Sequence, residues 1–296
     1  MIWYVYAWIA AILGGCVAGL LKLGNRKSGY KLAAGIWSLA IMFLACGLVR
    51  YLGVGSGISS IGSRSWIFLI FSGAALGGSW ICLCHALECG EALKITPIGR
   101  ITLVTIILLS RWLFGDGIRI DQYVAIIFVI IGAVLMITKS NGRDGGYVWL
   151  GQGLLAGGFY CLARILTRYG VSGVNTYLSW GIQIVIATIV IWIIVLVTGG
   201  HHNFKAVSFL EGIFLCLSAL AAAGAFWFYY HCKITGSNYI LALILQLSIV
   251  FSSIFSCLFL REKMTTKALI GLVLLVIGLL LLQMETSIFT LLFTKI

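Results

Sequence analysis

The first candidate functional residue of this chain is an arginine that lies shortly after its only proline. Pro97 and Arg100 stand three residues apart in KITPIGRITLV, residues 94–104, which continues into an apolar run. A proline inside a helix kinks it. An arginine at membrane depth is costly unless it is paired or hydrated, so it is a candidate functional residue. Guanidinium presents a planar fork that suits a carboxylate or a phosphate. We therefore predict that Arg100 binds substrate beside a helix kink at Pro97. The alternatives are an arginine that reaches the membrane surface or one that pairs with Glu88 or Glu91.

Two histidines, several aromatic rings and two amides complete the predicted binding residues. His85 and His231 are predicted near helix ends, where they would line a shared cavity or, alternatively, hydrogen-bond the last helical turn. Aromatic rings can cage an ammonium group or stack on a cargo, although most simply pack. Buried amides need hydrogen-bond partners. The remaining predicted substrate-binding residues are Trp8, Trp80, Tyr160, Tyr229, Tyr230, Gln152 and Gln246.

Metal and enzyme chemistry are not predicted. Cys82, His85 and Cys89 share one helical face and could ligate a soft metal, but cysteine in apolar helices more often packs as a small hydrophobe. The sequence contains no H-E-x-x-H or G-x-S-x-G motif. We expect no metal, no cofactor and no catalytic residues.

Membrane-length apolar segments must position these residues. Hydrophobic residues make up 61% of the 296-residue chain and charged residues 9%, unlike the balance of a soluble domain. Ten segments long enough to cross a bilayer are predicted, at residues 2–22, 31–50, 65–87, 92–114, 120–138, 147–168, 174–198, 208–232, 237–260 and 266–284. The net charge of +12 is assigned to loops that face anionic lipid, so nucleic acid is not a predicted partner.

An ungapped internal repeat organises the segments. A shift of 146 residues aligns Trp3 with Trp149, Gly24 with Gly170, Gly35 with Gly181, His85 with His231 and Gly132 with Gly278. Each copy holds five segments, and an odd number inverts the second copy relative to the first. We predict an all-α integral membrane protein whose ten transmembrane helices form two inverted five-helix repeats, residues 1–138 and 147–296, joined by a linker at 139–146.

Basic residues in the loops predict the orientation. Ten of them, from Lys22 to Lys267, flank one face of the predicted bundle, and six, from Arg50 to Lys295, flank the other. The positive-inside rule puts the richer face in the cytoplasm and both termini outside. We expect a multi-pass protein of the plasma membrane that contacts membrane lipid and works as a monomer, with a homodimer as the alternative.

The stretch 80–132 resembles the repeat of the EamA-type transporters of the drug/metabolite transporter superfamily. The matching positions are Trp80, Ala86-Leu87, Gly90, Ala92, Lys94, Pro97-Ile98, Arg100, Asp116 and Gly132. The second half matches at Gly236, Glu262, Gly271 and Gly278, but has Leu243 opposite the proline and Gln246 opposite the arginine. The resemblance implies ten helices in a five-plus-five arrangement. It implies transport without fixing the cargo, since such families move amino acids, nucleosides, amines, sugars and drugs.

Together these patterns predict a secondary transporter or exporter that works by alternating access. Its cargo would be a small zwitterionic or anionic metabolite, an amino acid first among them, with Arg100 on the carboxylate and the aromatic residues on the body. A choline-like amine transporter with an aromatic cage is one alternative. A flippase of lipids or lipid-linked sugars, with Arg100 and Arg164 on a phosphate, is another. The first helix lacks the carboxylate of the small multidrug proteins, which disfavours a proton/cation antiporter.

Overall fold

Helices account for the regular structure of the described chain. The structure is a computed structural model that describes residues 2–26, 28–114, 120–137, 147–171, 173–200, 207–235 and 238–282; the predicted linker at 139–146, Asp116 and Gly236 lie outside these residues. Within those ranges the α-helices are α1 (Ile2–Gly24), α2 (Tyr30–Tyr51), α3 (Ser63–Cys89), α4 (Ala92–Phe114), α5 (Ile120–Met136), α6 (Val148–Gly170), α7 (Thr176–Val197), α8 (Phe209–Thr235), α9 (Asn238–Gln246), α10 (Ser248–Phe259) and α11 (Thr266–Leu282). A 3-10 helix, Val54–Ser60, joins α2 to α3.

The chain is a multi-pass membrane protein whose described regular structure is helical throughout. Six of the described helices are long and apolar enough to cross a bilayer, namely Trp3–Gly24, Tyr30–Tyr51, Ser63–Cys89, Ala92–Ser110, Thr176–Val197 and Phe209–Cys232. Shorter apolar helical stretches run over Gln122–Met136, over Leu243–Phe259, which includes the end of α9 and all of α10, and over Thr266–Leu282. One predicted segment, 237–260, is divided, because α9 ends at Gln246 and α10 begins at Ser248. The all-α membrane class is therefore confirmed.

The helices group into two compact units that draw on both halves of the sequence. The first unit consists of Met1–Gly19, Glu91–Ser140 and Gly224–Ile296, and the second of Leu20–Gly90 and Asn141–Ala223. Helices α1 and α8 each contribute residues to both units.

In the first unit, α5 packs closely against α11 through glycines. A Cβ atom added at Gly132 would lie 2.5 Å from the backbone nitrogen of Leu275, and one at Gly278 would lie 2.8 Å from that of Val129. Only a residue without a side chain allows backbones to approach this closely. The buried apolar side chains around the contact include Val129, Met136, Leu275 and Leu279. Helix α4 packs on α5 and on α10 within the same unit.

In the second unit, α3 packs against α6 and α7, and α2 packs against α7. A Cβ atom at Gly77 would lie 2.9 Å from the carbonyl oxygen of Ala187, so glycine again permits close approach. Hydroxyl groups tie the helices to one another. Ser79 Oγ donates to the carbonyl of Ala156 at 2.8 Å. These hydrogen bonds satisfy hydroxyls that would be costly to leave unpaired in hydrocarbon.

Candidate functional site

Arg100 lies inside α4 and is held by two side chains from the region where α9 meets α10. Its Nη1 donates to the Gln246 amide oxygen at 3.3 Å, and its Nη2 donates to Ser248 Oγ at 2.6 Å. At 1.5 Å per residue, Arg100 sits about 12 Å from the start of α4. A guanidinium carries its N–H donors in a rigid planar fork, so a bond from each of Nη1 and Nη2 fixes the orientation of that fork.

The break between α9 and α10 presents those partners. Leu247 lies between the two helices, and its N–H donates to the carbonyl of Ile244 at 3.1 Å, while its own carbonyl accepts from Val250 at 2.9 Å. Both bonds span three residues, so the chain tightens locally into 3-10 geometry. Gln246 and Ser248, each 9% exposed, flank this tightened turn. The break therefore places an amide and a hydroxyl side by side opposite α4.

A second polar contact joins α4 and α10 one turn before Arg100. Thr96 Oγ1 and Ser252 Oγ lie 3.2 Å apart, and Thr96 also donates to the carbonyl of Ala92 at 2.8 Å. Pro97 is buried beside this pair, and α4 is helical on both sides of it. The hydroxyl of Thr96 thus bonds to a carbonyl one turn back along its own helix, as threonine in a helix commonly does. The interface between α4 and α10 is therefore lined by hydroxyls as well as by Arg100.

Two acidic residues fix the beginning of α4. Glu262 accepts from the backbone N–H of Ala92 at 2.9 Å and of Leu93 at 2.8 Å, one carboxylate oxygen on each. The first N–H groups of a helix have no partner within it and carry partial positive charge, so a carboxylate stabilises them. Glu91 pairs with Lys94, whose side chain is almost wholly buried, at 3.0 Å. These contacts anchor the helix that carries Arg100.

Replacing Glu262 with alanine is expected to destabilise the protein by about 1–2 kcal/mol, the usual cost of a lost helix cap. The stability of Glu262→Gln should lie between that of Glu262→Ala and that of wild type, because the glutamine amide keeps one acceptor oxygen. Lys263→Ala, at an exposed neighbouring position, is the control and should stay within about 0.5 kcal/mol of wild type. Thermal melting of the purified variants measures this, and equal melting of Glu262→Ala and wild type would refute the capping role.

Four other predicted binding residues belong to the same unit as Arg100. Trp8 packs edge-on against Phe251 at 6.2 Å between ring centres, and its side chain is 42% exposed. His231 lies 5.5 Å from the ring of Tyr6. Tyr230 stacks on a neighbouring phenylalanine of α8, and Tyr229 packs on the apolar cluster formed by α1, α8 and α9. The unit thus holds an aromatic group as well as the arginine.

The remaining predicted residues lie in the second unit. His85 stacks on Tyr30 at 4.1 Å between ring centres, a contact that the sequence did not predict. Trp80 meets the indole of Trp37 at 4.8 Å. Gln152 is partly buried and Tyr160 is exposed, both on α6. His85 and His231, predicted as a symmetric pair, therefore fall in different units.

Glu88 and Glu91, considered above as partners of Arg100, are engaged with other groups. Glu88 accepts from the backbone N–H of Tyr30 at 3.0 Å and caps α2, and Glu91 holds Lys94. Arg100 contacts Gln246 and Ser248, which belong to the same unit. Gln246 is thus the predicted residue that the structure brings directly to Arg100.

Sequence reasoning missed Ser248, Ser252 and the capping role of Glu262. The two serines belong to the stretch QLSIVFSS, where three hydroxyls interrupt an otherwise apolar run. Small hydroxyl residues at helical spacing mark polar helix contacts in membranes, so this signal was present. The Glu262 cap joins residues 170 positions apart, and local spacing could not reveal it.

Comparisons with known proteins agree with the resemblance seen in the sequence. Residues 146–284 match the EamA-like transporter family. A protein of Sinorhizobium sp described as "Uncharacterized transporter in cobO 3'region" is 25% identical over 134 residues, which are 45% of this chain and 95% of that protein. The family match falls in the second half, where the motif positions departed further from the family pattern. The resemblance to this family is confirmed.

Proposed function

Since residues 146–284 match the EamA-like transporter family, we propose that the chain is a membrane transporter of the drug/metabolite transporter superfamily and that it moves a small zwitterionic or anionic metabolite, an amino acid first among them. The observation that carries this proposal is the position of Arg100. Its guanidinium lies well inside α4 and is oriented by Gln246 and Ser248. A guanidinium held in this way suits the carboxylate that every free amino acid carries.

The two contacts of Arg100 differ in a way that suggests how cargo binds. The bond to Ser248 is short, at 2.6 Å, whereas the bond to Gln246 is 3.3 Å, beyond the usual range for an N–H to oxygen bond. A carboxylate accepts more strongly than an amide oxygen. The cargo carboxylate would therefore displace Gln246 from Nη1 while Ser248 keeps the arginine in place. The aromatic residues of the same unit, Trp8 and Tyr229 among them, would hold the cargo body.

Alternating access by two inverted repeats forms part of the proposal. Two residues that the 146-residue shift pairs are called counterparts. In a two-fold arrangement every contact between the copies occurs twice: if residue A of one copy contacts residue B of the other, then the counterpart of A contacts the counterpart of B. The 146-residue shift pairs Gly35 with Gly181 and Val49 with Val195. A Cβ atom at Gly35 would lie 3.6 Å from Val195, and one at Gly181 would lie 2.9 Å from Val49. This reciprocity supports a two-fold relation within the second unit.

Further contacts follow the same rule. The shift pairs Gly132 with Gly278 and Val129 with Leu275, which are the residues of the reciprocal contact between α5 and α11 described above. It also pairs Arg100 with Gln246, which touch each other directly. Two counterparts can meet only near the axis that relates them. The proposed axis therefore passes close to the proposed cargo site, where inverted-repeat transporters bind substrate.

We extend the proposal to location and orientation. The distribution of basic loop residues supports a plasma-membrane protein with both termini outside the cytoplasm.

Counterflow in proteoliposomes tests the cargo class. Vesicles that contain the full chain and are preloaded with unlabelled amino acids should accumulate labelled amino acid, whereas protein-free vesicles should not. Free amino acids and small organic acids should compete, and quaternary amines should not. Competition by quaternary amines alone would overturn the proposal in favour of the aromatic-cage alternative. Protein-dependent translocation of labelled phospholipid without amino-acid counterflow would favour a flippase.

A further inference from the structure

A cavity of the second unit combines apolar walls with one arginine. Its volume is about 450 Å³, and it lies between α2, the 3-10 helix, α3 and α7. The lining includes Val49 and Arg50 of α2, Ile58 of the 3-10 helix, Trp66 of α3, and Ile182 and Ile186 of α7. Apart from Arg50, the lining residues are apolar or small, and none of them is acidic.

The charge stands at one end of this cavity. Arg50 lies in the last turn of α2 and is exposed, next to Tyr51, which is 81% exposed. No side chain in the described part of the chain forms an ion pair or hydrogen bond with its guanidinium. From Leu178, near the start of α7, the lining extends to Ile186, about 12 Å further along that helix. The cavity therefore runs from a helix end that carries a cation into the apolar length of a membrane helix.

Direct packing of the 3-10 helix on α7 forms one wall of the cavity. A Cβ atom at Gly57 would lie 3.2 Å from Leu178, so the 3-10 helix rests directly on α7. Trp66 lies near the start of α3, and tryptophan near the end of a membrane helix is typical of the membrane–water interface. The cavity therefore has an aromatic ring and a basic side chain near helix ends and apolar walls beyond them. A phospholipid in one leaflet has the matching order, with a polar headgroup at the membrane surface and an acyl chain beneath it.

We propose that this cavity binds an anionic phospholipid, with an acyl chain between α2 and α7 and the phosphate on Arg50. The predominantly apolar lining favours an acyl chain over a soluble anion, which would gain nothing from it. Arg50 favours a headgroup with net negative charge over a zwitterionic one, because a basic side chain near the surface attracts anionic lipid. The cavity shares no lining residue with the proposed cargo site, and its proposed ligand does not depend on the proposed function.

Lipid retention by the purified full chain tests the proposal. The protein is equilibrated with phosphatidylglycerol or phosphatidylcholine of the same acyl chains, and bound lipid is counted by native mass spectrometry. Wild type should retain phosphatidylglycerol about fivefold better, which is the effect of one basic residue near an anionic headgroup. Arg50→Gln should abolish the preference, and Arg50→Lys should restore most of it.

Two further variants make the test specific. Arg64→Gln removes an equal charge from an arginine that instead lies over the rings of Phe68 and Tyr169, and it should leave the preference intact. Ile182→Trp fills the cavity and should lower retention of both lipids. Unchanged melting temperatures would establish that the variants fold. A preference that survives Arg50→Gln, or that falls equally in Arg64→Gln, would overturn the proposal.

Discussion

Replacing Arg100 with glutamine is expected to weaken amino-acid competition in the counterflow assay by about 10- to 100-fold. A hydrogen bond to a charged group contributes about 1.5–3 kcal/mol, and each 1.4 kcal/mol is a factor of ten. Arg100→Lys should recover only part of the loss, because an ammonium lacks the planar fork that binds a carboxylate bidentately. Arg164→Gln, at an exposed position of α6, removes an equal charge and should leave competition unchanged.

A second variant distinguishes a loss of cargo binding at Arg100 from a failure of the protein to fold. Gln246→Glu places a carboxylate on Arg100 at the longer of its two contacts, now 3.3 Å. The internal ion pair should occupy the guanidinium, so cargo affinity should fall while the melting temperature holds or rises. If Gln246→Glu transports amino acids as well as wild type does, then Arg100 is not the carboxylate site.

The second large effect is expected at the glycine contact between α5 and α11. In Gly132→Ala the new methyl group would lie 2.5 Å from the backbone nitrogen of Leu275 and 2.7 Å from the carbonyl oxygen of Gly271. Backbone atoms cannot rotate away as a side chain can, so the helices must separate. Overpacking of this kind costs about 1–3 kcal/mol, and the melting temperature should fall by roughly 3–10 °C.

Gly99→Ala is the matched control for this prediction. Gly99 is also a glycine inside a helix, but a Cβ atom there would meet nothing within 4 Å. Alanine is favoured over glycine in a helix by roughly 0.5–1 kcal/mol, so this variant should melt at or slightly above wild type. Melting curves of both variants in the same detergent make the comparison. Equal behaviour of the two would mean that α5 and α11 are not packed through Gly132.

Helix positions could be predicted from the sequence because a membrane helix depends mainly on the length of an apolar run. The segment predicted at 92–114 coincides with α4, and the one at 31–50 differs from α2 by a single residue at each end. The break at Leu247 could not be predicted in this way. That residue is a leucine with no proline or glycine beside it, and the flanking Gln246 and Ser248 bond to a residue of another helix.

The candidate site was predictable in its chemistry but not in its geometry. Arg100 was identified because an arginine within a membrane segment requires a reason. Its contact with Gln246 spans 146 positions, the length of the repeat shift, yet only the fold brings the two side chains together. The cap of α4 by Glu262 likewise joins residues that are far apart in the sequence. Contacts between segments that are distant in sequence leave no local sequence pattern. The sequence can therefore identify a functional residue but not the residues that contact it.

The central claim is that Arg100 binds the carboxylate of the cargo, and one measurement addresses it most directly. The melting temperature of the purified full chain is recorded with an amino acid that competes in counterflow, with its carboxamide and with its decarboxylated amine. A ligand that binds only the folded protein raises this temperature according to its occupancy. We expect the amino acid alone to stabilise wild type, and none of the three to stabilise Arg100→Gln. Equal stabilisation by the carboxamide or the amine, or stabilisation that persists in Arg100→Gln, would contradict the claim.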